Sequence, residues 1–166
     1  MKKFLAVLVI VFLANLGCKK LDDKQGVCAC SPIYEPTVVL VVKNAAGTDM
    51  LNPATAGYFA NNNIQLYYLE GSTQKKLNFY VRPSFSYGNE KFNYYQLNSS
   101  DIIRQSSTSN KDIYFKLGED EPMKLNLELV ADKKYQVAKL LVDGKEAVAE
   151  KGNVTSYLQN IFYVSL

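Results

Sequence analysis

The chain of 166 residues contains no histidine and no tryptophan, and it has only three cysteines. Because the imidazole side chain is missing, catalysis by a Ser-His-Asp or Cys-His arrangement is excluded. Every metal site that uses a histidine ligand is excluded for the same reason. The lack of tryptophan removes an aromatic ring on which carbohydrate-binding surfaces often depend.

A strong charge of either sign is also absent. The formal net charge is +3, and removing Lys2 and Lys3 with residues 1–17 lowers it to +1. A chain this close to neutral has no electrostatic footprint for nucleic acid, so we expect no nucleic-acid partner.

The first eighteen residues have the pattern of a secretory signal peptide. Lys2 and Lys3 precede the apolar run of residues 4–13, which is too short to span a bilayer, since a span needs roughly 20 residues. The ending Leu16-Gly17-Cys18 resembles the lipobox of bacterial lipoproteins, in which the cysteine becomes the lipidated first residue. We therefore predict a signal peptide over residues 1–17 and lipidation of Cys18. A secreted protein in which Cys18 has no role is the alternative.

The resemblance implies two or more acyl chains on Cys18, which hold a protein stably on a membrane. Lys19 follows the cysteine, and that family retains lipoproteins in the inner membrane chiefly when aspartate stands there. The predicted location is therefore the outer membrane of the cell envelope, on either its periplasmic face or the cell surface. Residues 18–36 contain charges, Pro32 and Pro36, and we interpret them as the lipidated cysteine and a flexible tether.

Cys28 and Cys30 lie within this tether in a C-x-C spacing. The spacing is compatible with a local disulfide, a redox pair or half of a thiolate metal site, or the two cysteines have no role. A metal site lacks a second cysteine pair, and a redox dithiol normally has the spacing C-x-x-C. A disulfide between Cys28 and Cys30 stays the candidate role.

Residues 37–166 have the pattern of one all-β domain. Residues 38–42 are five consecutive β-favouring residues, which is typical of a strand covered on both faces. Further strands are predicted at residues 64–68, 77–81, 92–97, 113–117, 123–129, 135–142 and 157–166. Gly71-Ser72 is predicted to join the 64–68 and 77–81 strands as a hairpin, and Asp143-Gly144 is the strongest two-residue turn signal. Residues 98–111 contain at most one helical turn.

These strands, with no long amphipathic helix, predict an antiparallel β-sandwich of immunoglobulin-like or similar type. An eight-stranded up-and-down β-barrel is the alternative. The run Gly47-Thr48-Asp49-Met50-Leu51-Asn52-Pro53, the later Ile64-Gln65-Leu66-Tyr67-Tyr68-Leu69 and Val142-Asp143-Gly144-Lys145 resemble a group of small uncharacterised bacterial cell-envelope lipoproteins. That resemblance implies a β-sandwich, and it implies no functional residues.

No catalytic residue, metal ligand or cofactor is predicted. Glu119-Asp120-Glu121 has the carboxylates that calcium prefers, but it precedes Pro122 between two strands and is typical of a solvated turn. The sequence therefore predicts a non-catalytic module, an accessory binding or structural component of the envelope. An envelope hydrolase that uses carboxylates or a Ser-Lys dyad is the alternative.

Tyrosine is the one residue type in surplus, with 12 in the chain. High strand propensity explains part of this number, but outward tyrosines also suit binding surfaces. Alternation in the 64–68 and 77–81 strands predicts that Tyr67 and Tyr80 point away from the core. We therefore predict that Tyr67 and Tyr80 form an exposed surface for a protein or glycan partner. The oligomeric state is left open.

Overall fold

A computed structural model of the chain describes residues 36–109, 112–131 and 136–166. The predicted signal peptide, the lipidation site Cys18, the Cys28–Cys30 pair and all but the last residue of the tether lie outside the described residues.

The described strands form two large sheets and one hairpin. The first sheet contains β1 (Val38–Lys43), β4 (Tyr80–Arg82), β7 (Gln96–Ser99), β12 (Val148–Ala149) and β13 (Ile161–Ser165), in the order β12-β13-β1-β7-β4. The second sheet contains β2 (Ile64–Glu70), β3 (Thr73–Lys76), β8 (Ile113–Leu117), β9 (Met123–Leu129), β10 (Val137–Val142) and β11 (Lys145–Glu146), in the order β11-β10-β9-β8-β2-β3. The hairpin pairs β5 (Phe85–Tyr87) with β6 (Glu90–Phe92).

Strand β1 lies at the centre of the first sheet and is covered on both faces, as the sequence predicts. All five residues from Val38 to Val42 have an exposed fraction of 0%. Leu40 and Val42 belong to the main core, which also contains residues of the second sheet. Val39 and Val41 belong to a second apolar layer with residues of the β6 strand and the 3-10 turn Asn153–Ser156.

The two sheets pack face to face as a sandwich, and in the described part of the chain neither closes into a barrel. The β-sandwich prediction is confirmed, and the barrel alternative is wrong. Pairing is antiparallel except between β1 and β13, which run parallel with Val39 opposite Ile161. The chain passes from the second sheet to the first twice, between β3 and β4 and between β11 and β12.

A nine-residue helix, α1 (Ser100–Thr108), follows β7, where the sequence predicted at most one helical turn. The prediction was wrong because it gave more weight to the many serine and threonine residues of this stretch than to the two apolar residues that hold the helix in the core. Ile102 and Ile103 are buried in the main core, and Asp101 occupies the first turn, where a negative charge is favourable.

The hairpin predicted after Gly71 has a different partner strand. Strand β2 pairs with β3, so that Tyr68 faces Lys75, and residues 77–81 leave the second sheet. Leu77 makes the last link, since its N–H donates to the carbonyl of Leu66 at 2.8 Å. Residues 77–81 therefore do alternate between more buried and more exposed side chains. They form a segment that crosses from the second sheet to the first and continues into β4.

Two other predicted strands are shorter than the sequence indicated. Residues 92–97 are divided between the end of β6 and the start of β7. The last strand begins at Ile161, because the 3-10 turn Asn153–Ser156 comes before it and Asn160 adopts a φ of 56°. The spacing of the apolar residues indicates neither the division of residues 92–97 nor the 3-10 turn.

The turn between β10 and β11 has the geometry that the sequence predicts. Asp143 has a φ of 48° and Gly144 a φ of 77°, as a type I′ turn requires at both central positions. The N–H of Asp143 also donates to the carbonyl of Lys124 at 2.9 Å, which ties the turn to β9.

We expect Gly144→Val to lower the free energy of unfolding by about 1–3 kcal/mol, because a β-branched residue is strained at positive φ. A Cβ atom at this position meets no atom within 4 Å, so the loss comes from the backbone conformation and not from a clash at Cβ. Urea denaturation measures it, with Lys145→Val as the control for adding valine to the same exposed turn. Equal midpoints for the two variants contradict the backbone explanation.

Candidate functional site

A cleft with a volume of about 540 Å³ opens beside β2. It is lined by Asn61, Asn62, Ile64, Gln65, Leu66, Tyr67, Gln74, Lys76, Leu77 and Phe79. Four of these side chains are amides, and none of the described residues that line it carries a carboxylate. We call it the amide cleft.

The amide cleft exists because β3 is shorter than β2. After the hydrogen bond from Leu77 to Leu66 the chain turns away from β2, so residues 64 and 65 have no strand on that side, although β8 pairs with them on the other. The crossing segment that replaces a strand supplies Leu77 and Phe79 as the apolar wall.

Helix α1 and β7 hold this wall in place through Asn78. Asp101 accepts hydrogen bonds from the backbone N–H of Asn78 at 2.8 Å and from its side-chain amide at 2.9 Å. The hydroxyl of Ser99 donates to the carbonyl of Asn78 at 2.7 Å. Asp101 is itself buried and paired with Arg104. Both the N–H and the carbonyl of Asn78 are therefore hydrogen-bonded, and these bonds fix the segment that carries Leu77 and Phe79.

The other end of the amide cleft is the 3-10 turn Asn61–Asn63. The N–H of Gly118 donates to the carbonyl of Asn63 at 2.7 Å, which fastens the turn to the end of β8. This leaves the side chains of Asn61 and Asn62 exposed to solvent at the mouth of the cleft.

The side-chain amides of the cleft are free to bind a ligand. Among the described residues, no hydrogen bond uses the side chain of Asn61, Asn62, Gln65 or Gln74. Each amide offers two donor hydrogens and an acceptor oxygen. The cleft therefore presents paired donors and acceptors to a polar molecule.

The predicted partner surface of Tyr67 and Tyr80 is wrong in its main feature. Tyr67 lies on the outer face of the second sheet, as predicted, but its exposed fraction is 6% because it stacks on Tyr114 with ring centroids 5.4 Å apart. Tyr80 is 56% exposed and belongs to β4 of the first sheet. The two rings belong to different sheets, and only one of them is exposed. The alternation of residues along a strand predicted the face of the sheet on which each side chain lies. It gave no information on whether other side chains cover that face.

Tyr67 contributes one wall of the amide cleft instead. Burial raises the pKa of its hydroxyl, and the neighbouring Tyr114 and Glu121 raise that pKa further. The hydroxyl of Tyr67 therefore stays protonated and serves as a hydrogen-bond donor.

The buried carboxylates serve the fold and do not line the amide cleft. Asp49, in the run Gly47–Pro53, is 8% exposed and accepts the N–H of Leu51 at 3.0 Å and that of Tyr95 at 2.7 Å. Asp101 accepts a hydrogen bond from Asn78 and forms an ion pair with Arg104. Within the ranges that the structure describes, no group of three or more metal-binding side chains is placed to hold an ion.

A second polar cluster lies at the end of β1, and its polar groups interact with one another. The ammonium of Lys43 lies 3.8 Å from the ring centroid of Tyr94 and 4.2 Å from that of Tyr163. The hydroxyl of Tyr163 donates to Glu150, and this hydrogen bond lowers the pKa of Glu150. Burial, followed by the contact with Glu150, raises the pKa of Tyr163. We interpret this cluster as structural.

Sequence reasoning missed the amide cleft. Its residues belong to a loop, two strands and a crossing segment, and no spacing marks them as a group. The run Asn61-Asn62-Asn63 was the only local signal, and it indicates a turn equally well.

Comparisons with protein-family models, with curated proteins and with solved structures found no match to this chain. Along the described ranges, no helix has the length and apolar character needed to cross a membrane.

Proposed function

We propose that the chain is a non-catalytic glycan-binding module of the bacterial cell envelope, anchored in the outer membrane through lipidated Cys18. The observation that carries this proposal is the amide cleft, in which unpaired amide side chains lie beside aromatic rings. Of the two predicted classes of partner, protein and glycan, the chemistry of that lining favours a glycan.

The lining suits a sugar chain in two ways. Sugar hydroxyls both donate and accept hydrogen bonds, as do the side chains of Gln65 and Gln74. Sugar rings also have apolar C–H faces, and the half-buried ring of Phe79 offers an apolar surface for them. A volume of about 540 Å³ lies within the roughly 300–1,000 Å³ typical of small-ligand sites, so the cleft fits a short stretch of a glycan.

The same lining favours binding over hydrolysis. A glycosidase needs two carboxyl groups across the scissile bond, separated by about 5–9.5 Å. The described lining residues include no aspartate, glutamate, serine or cysteine, so neither the carboxylate nor the Ser-Lys alternative has its groups at this cleft.

The position of the amide cleft follows from the loop after β1. Strand β1 begins at Val38, directly after the predicted tether, and its other end is followed by the loop that leads to the cleft. The N–H of Met50 donates to the carbonyl of Val42, and that of Phe59 donates to the carbonyl of Met50, each within 2.9 Å. Asn61 and Asn62 therefore lie near the Lys43 end of β1.

The test is binding of the full-length chain, purified in detergent, to a microarray of bacterial, plant and mammalian glycans, followed by calorimetry on the glycans that bind. Gln65→Ala/Gln74→Ala should weaken binding about fivefold or more, because at least two hydrogen bonds worth about 0.5–1.5 kcal/mol each are lost. Gln159→Ala changes an exposed glutamine outside the cleft and should have no effect. The proposal fails if no glycan binds, or if the double variant binds as tightly as the native chain.

A further inference from the structure

The main chain of β2 directs hydrogen-bonding groups toward the amide cleft. In an antiparallel ladder, hydrogen-bonded and non-hydrogen-bonded pairs alternate, so successive residues direct their main-chain groups to opposite sides of the strand. The carbonyl of Asn63 accepts the N–H of Gly118 on the β8 side. The carbonyl and N–H groups of Ile64 and Leu66 are therefore divided from β8, and those of Leu66 face the cleft, where its carbonyl accepts the N–H of Leu77.

The segment across the amide cleft from β2 shows the same alternation. The N–H of Asn78 donates to Asp101 and its carbonyl accepts the hydroxyl of Ser99, so both groups point toward α1 and β7. Strand β4, which follows, pairs with β7 on that same side. The main-chain groups of Leu77 and Phe79 therefore take the other direction, toward β2, as the bond from the Leu77 N–H to β2 shows.

A single hydrogen bond joins the two segments. Four main-chain groups in this region have no hydrogen bond among the described residues: the carbonyls of Ile64 and Leu77 and the N–H groups of Leu66 and Phe79. All four residues line the amide cleft, and three of them are buried. Buried main-chain groups are paired in the great majority of cases, so this set points to a polar ligand.

The gap between Ile64 and Phe79 suits a short pendant group. The hydrogen bond between Leu77 and Leu66 closes one end of the gap, and the 3-10 turn Asn61–Asn63 lies at the other. The gap is one residue pair long, so an extended peptide strand has too few main-chain partners there. A single amide group needs one acceptor and one donor, which the Ile64 carbonyl and the Phe79 N–H provide.

We propose that the amide cleft binds glycans that carry acetamido groups, and that one acetamido group bridges Ile64 and Phe79. A planar trans amide directs its N–H and its carbonyl in opposite directions. The acetamido N–H donates to the carbonyl of Ile64, and the acetamido carbonyl accepts the N–H of Phe79. The N–H of Leu66 and the carbonyl of Leu77 are left for hydroxyls of the same sugar. This inference rests on the proposed glycan-binding function and names the class of glycan.

The matched probes are N-acetylchitotetraose and cellotetraose. They share the same linkage and differ in having an acetamido group or a hydroxyl at one carbon of each sugar. By calorimetry on the full-length chain in detergent, we expect the acetylated probe to bind about fivefold tighter or more, because a hydroxyl is too short to bond to both walls of the gap. The tightest glycan on the microarray should also carry an acetamido group.

A pair of variants tests the role of the Phe79 N–H. Phe79→Pro removes this N–H and Phe79→Ala keeps it, while both remove the ring. Phe79→Ala should weaken binding of both probes and preserve their ratio, whereas Phe79→Pro should reduce the ratio to less than about twofold, because one of the two bridging bonds is lost. Urea denaturation midpoints show whether each variant is folded.

NMR on the native chain tests the same bond without a substitution. At saturation with N-acetylchitotetraose, the backbone N–H signal of Phe79 should shift, and cellotetraose should leave it in place. The N–H of Val39, which donates to the carbonyl of Asn160 away from the cleft, is the control and should not respond to either probe.

The outcomes separate this inference from the function on which it rests. Equal binding of the two probes, an unchanged preference in a folded Phe79→Pro variant, or a Phe79 signal that does not respond overturns the acetamido inference and leaves glycan binding intact. If neither probe binds, a tightest microarray glycan without an acetamido group overturns the inference, and one with an acetamido group supports it. Absence of binding to every glycan overturns the proposed function itself.

Discussion

Asp49→Ala should lower the free energy of unfolding by about 2–4 kcal/mol. The carboxylate of Asp49 accepts two backbone N–H groups, from Leu51, two positions later, and from Tyr95, directly before β7. Leu51 is 2% exposed, so its N–H loses its partner in a site that water does not readily enter. A hydrogen bond to a charged group contributes about 1.5–3 kcal/mol, and an unsatisfied buried donor adds a penalty of about 1–3 kcal/mol.

Urea denaturation with linear extrapolation measures this loss. Asp120→Ala is the matched control, because Asp120 lies exposed in the β8–β9 turn and should change stability by no more than about 0.5 kcal/mol. A loss for Asp49→Ala that is no larger than the loss for the control contradicts the structural role of this motif.

Tyr67→Ser should also destabilise the domain by about 2–4 kcal/mol. The Tyr67 ring is almost fully covered and stacks on Tyr114, so the substitution removes buried aromatic area and one stacked pair. Alternation alone predicts an exposed tyrosine and hence almost no change in stability. The two expectations differ by several kcal/mol.

Tyr80→Ser provides the comparison for the same chemical change. More than half of the Tyr80 side chain is exposed, at the edge of the first sheet, so we expect a change within about 0.5 kcal/mol. Similar denaturation midpoints for the two variants indicate that Tyr67 is not buried as described.

Patterns within a single strand predicted their elements well. The apolar run of β1 predicted a strand covered on both faces, and all five residues are fully buried. Ile113, Phe115 and Leu117 alternate with half-buried positions and are all buried in β8. Asp143-Gly144 predicted the turn between β10 and β11. Each of these features depends on local backbone geometry and on side-chain period, which the sequence displays directly.

Features that depend on contacts between distant residues were not predictable in this way. Asn78 is directed out of the second sheet by Asp101 and Ser99, which lie more than twenty positions later in the chain. The burial of Tyr67 depends on Tyr114, 47 positions away. The amide cleft follows from both arrangements, because it lies between the edge of β2 and the segment that Asn78 anchors. No short-range pattern reports such a site.

The most direct test of glycan binding at the amide cleft is a ¹⁵N NMR titration that follows the side-chain amide signals of the chain. The titrant is the oligosaccharide that binds tightest on the microarray. We expect saturable shifts for the side chains of Gln65 and Gln74 and none for Gln105 and Gln159, which lie outside the lining. Saturable binding that shifts signals elsewhere, such as those around the exposed Tyr87, and leaves the cleft amides unchanged contradicts the account.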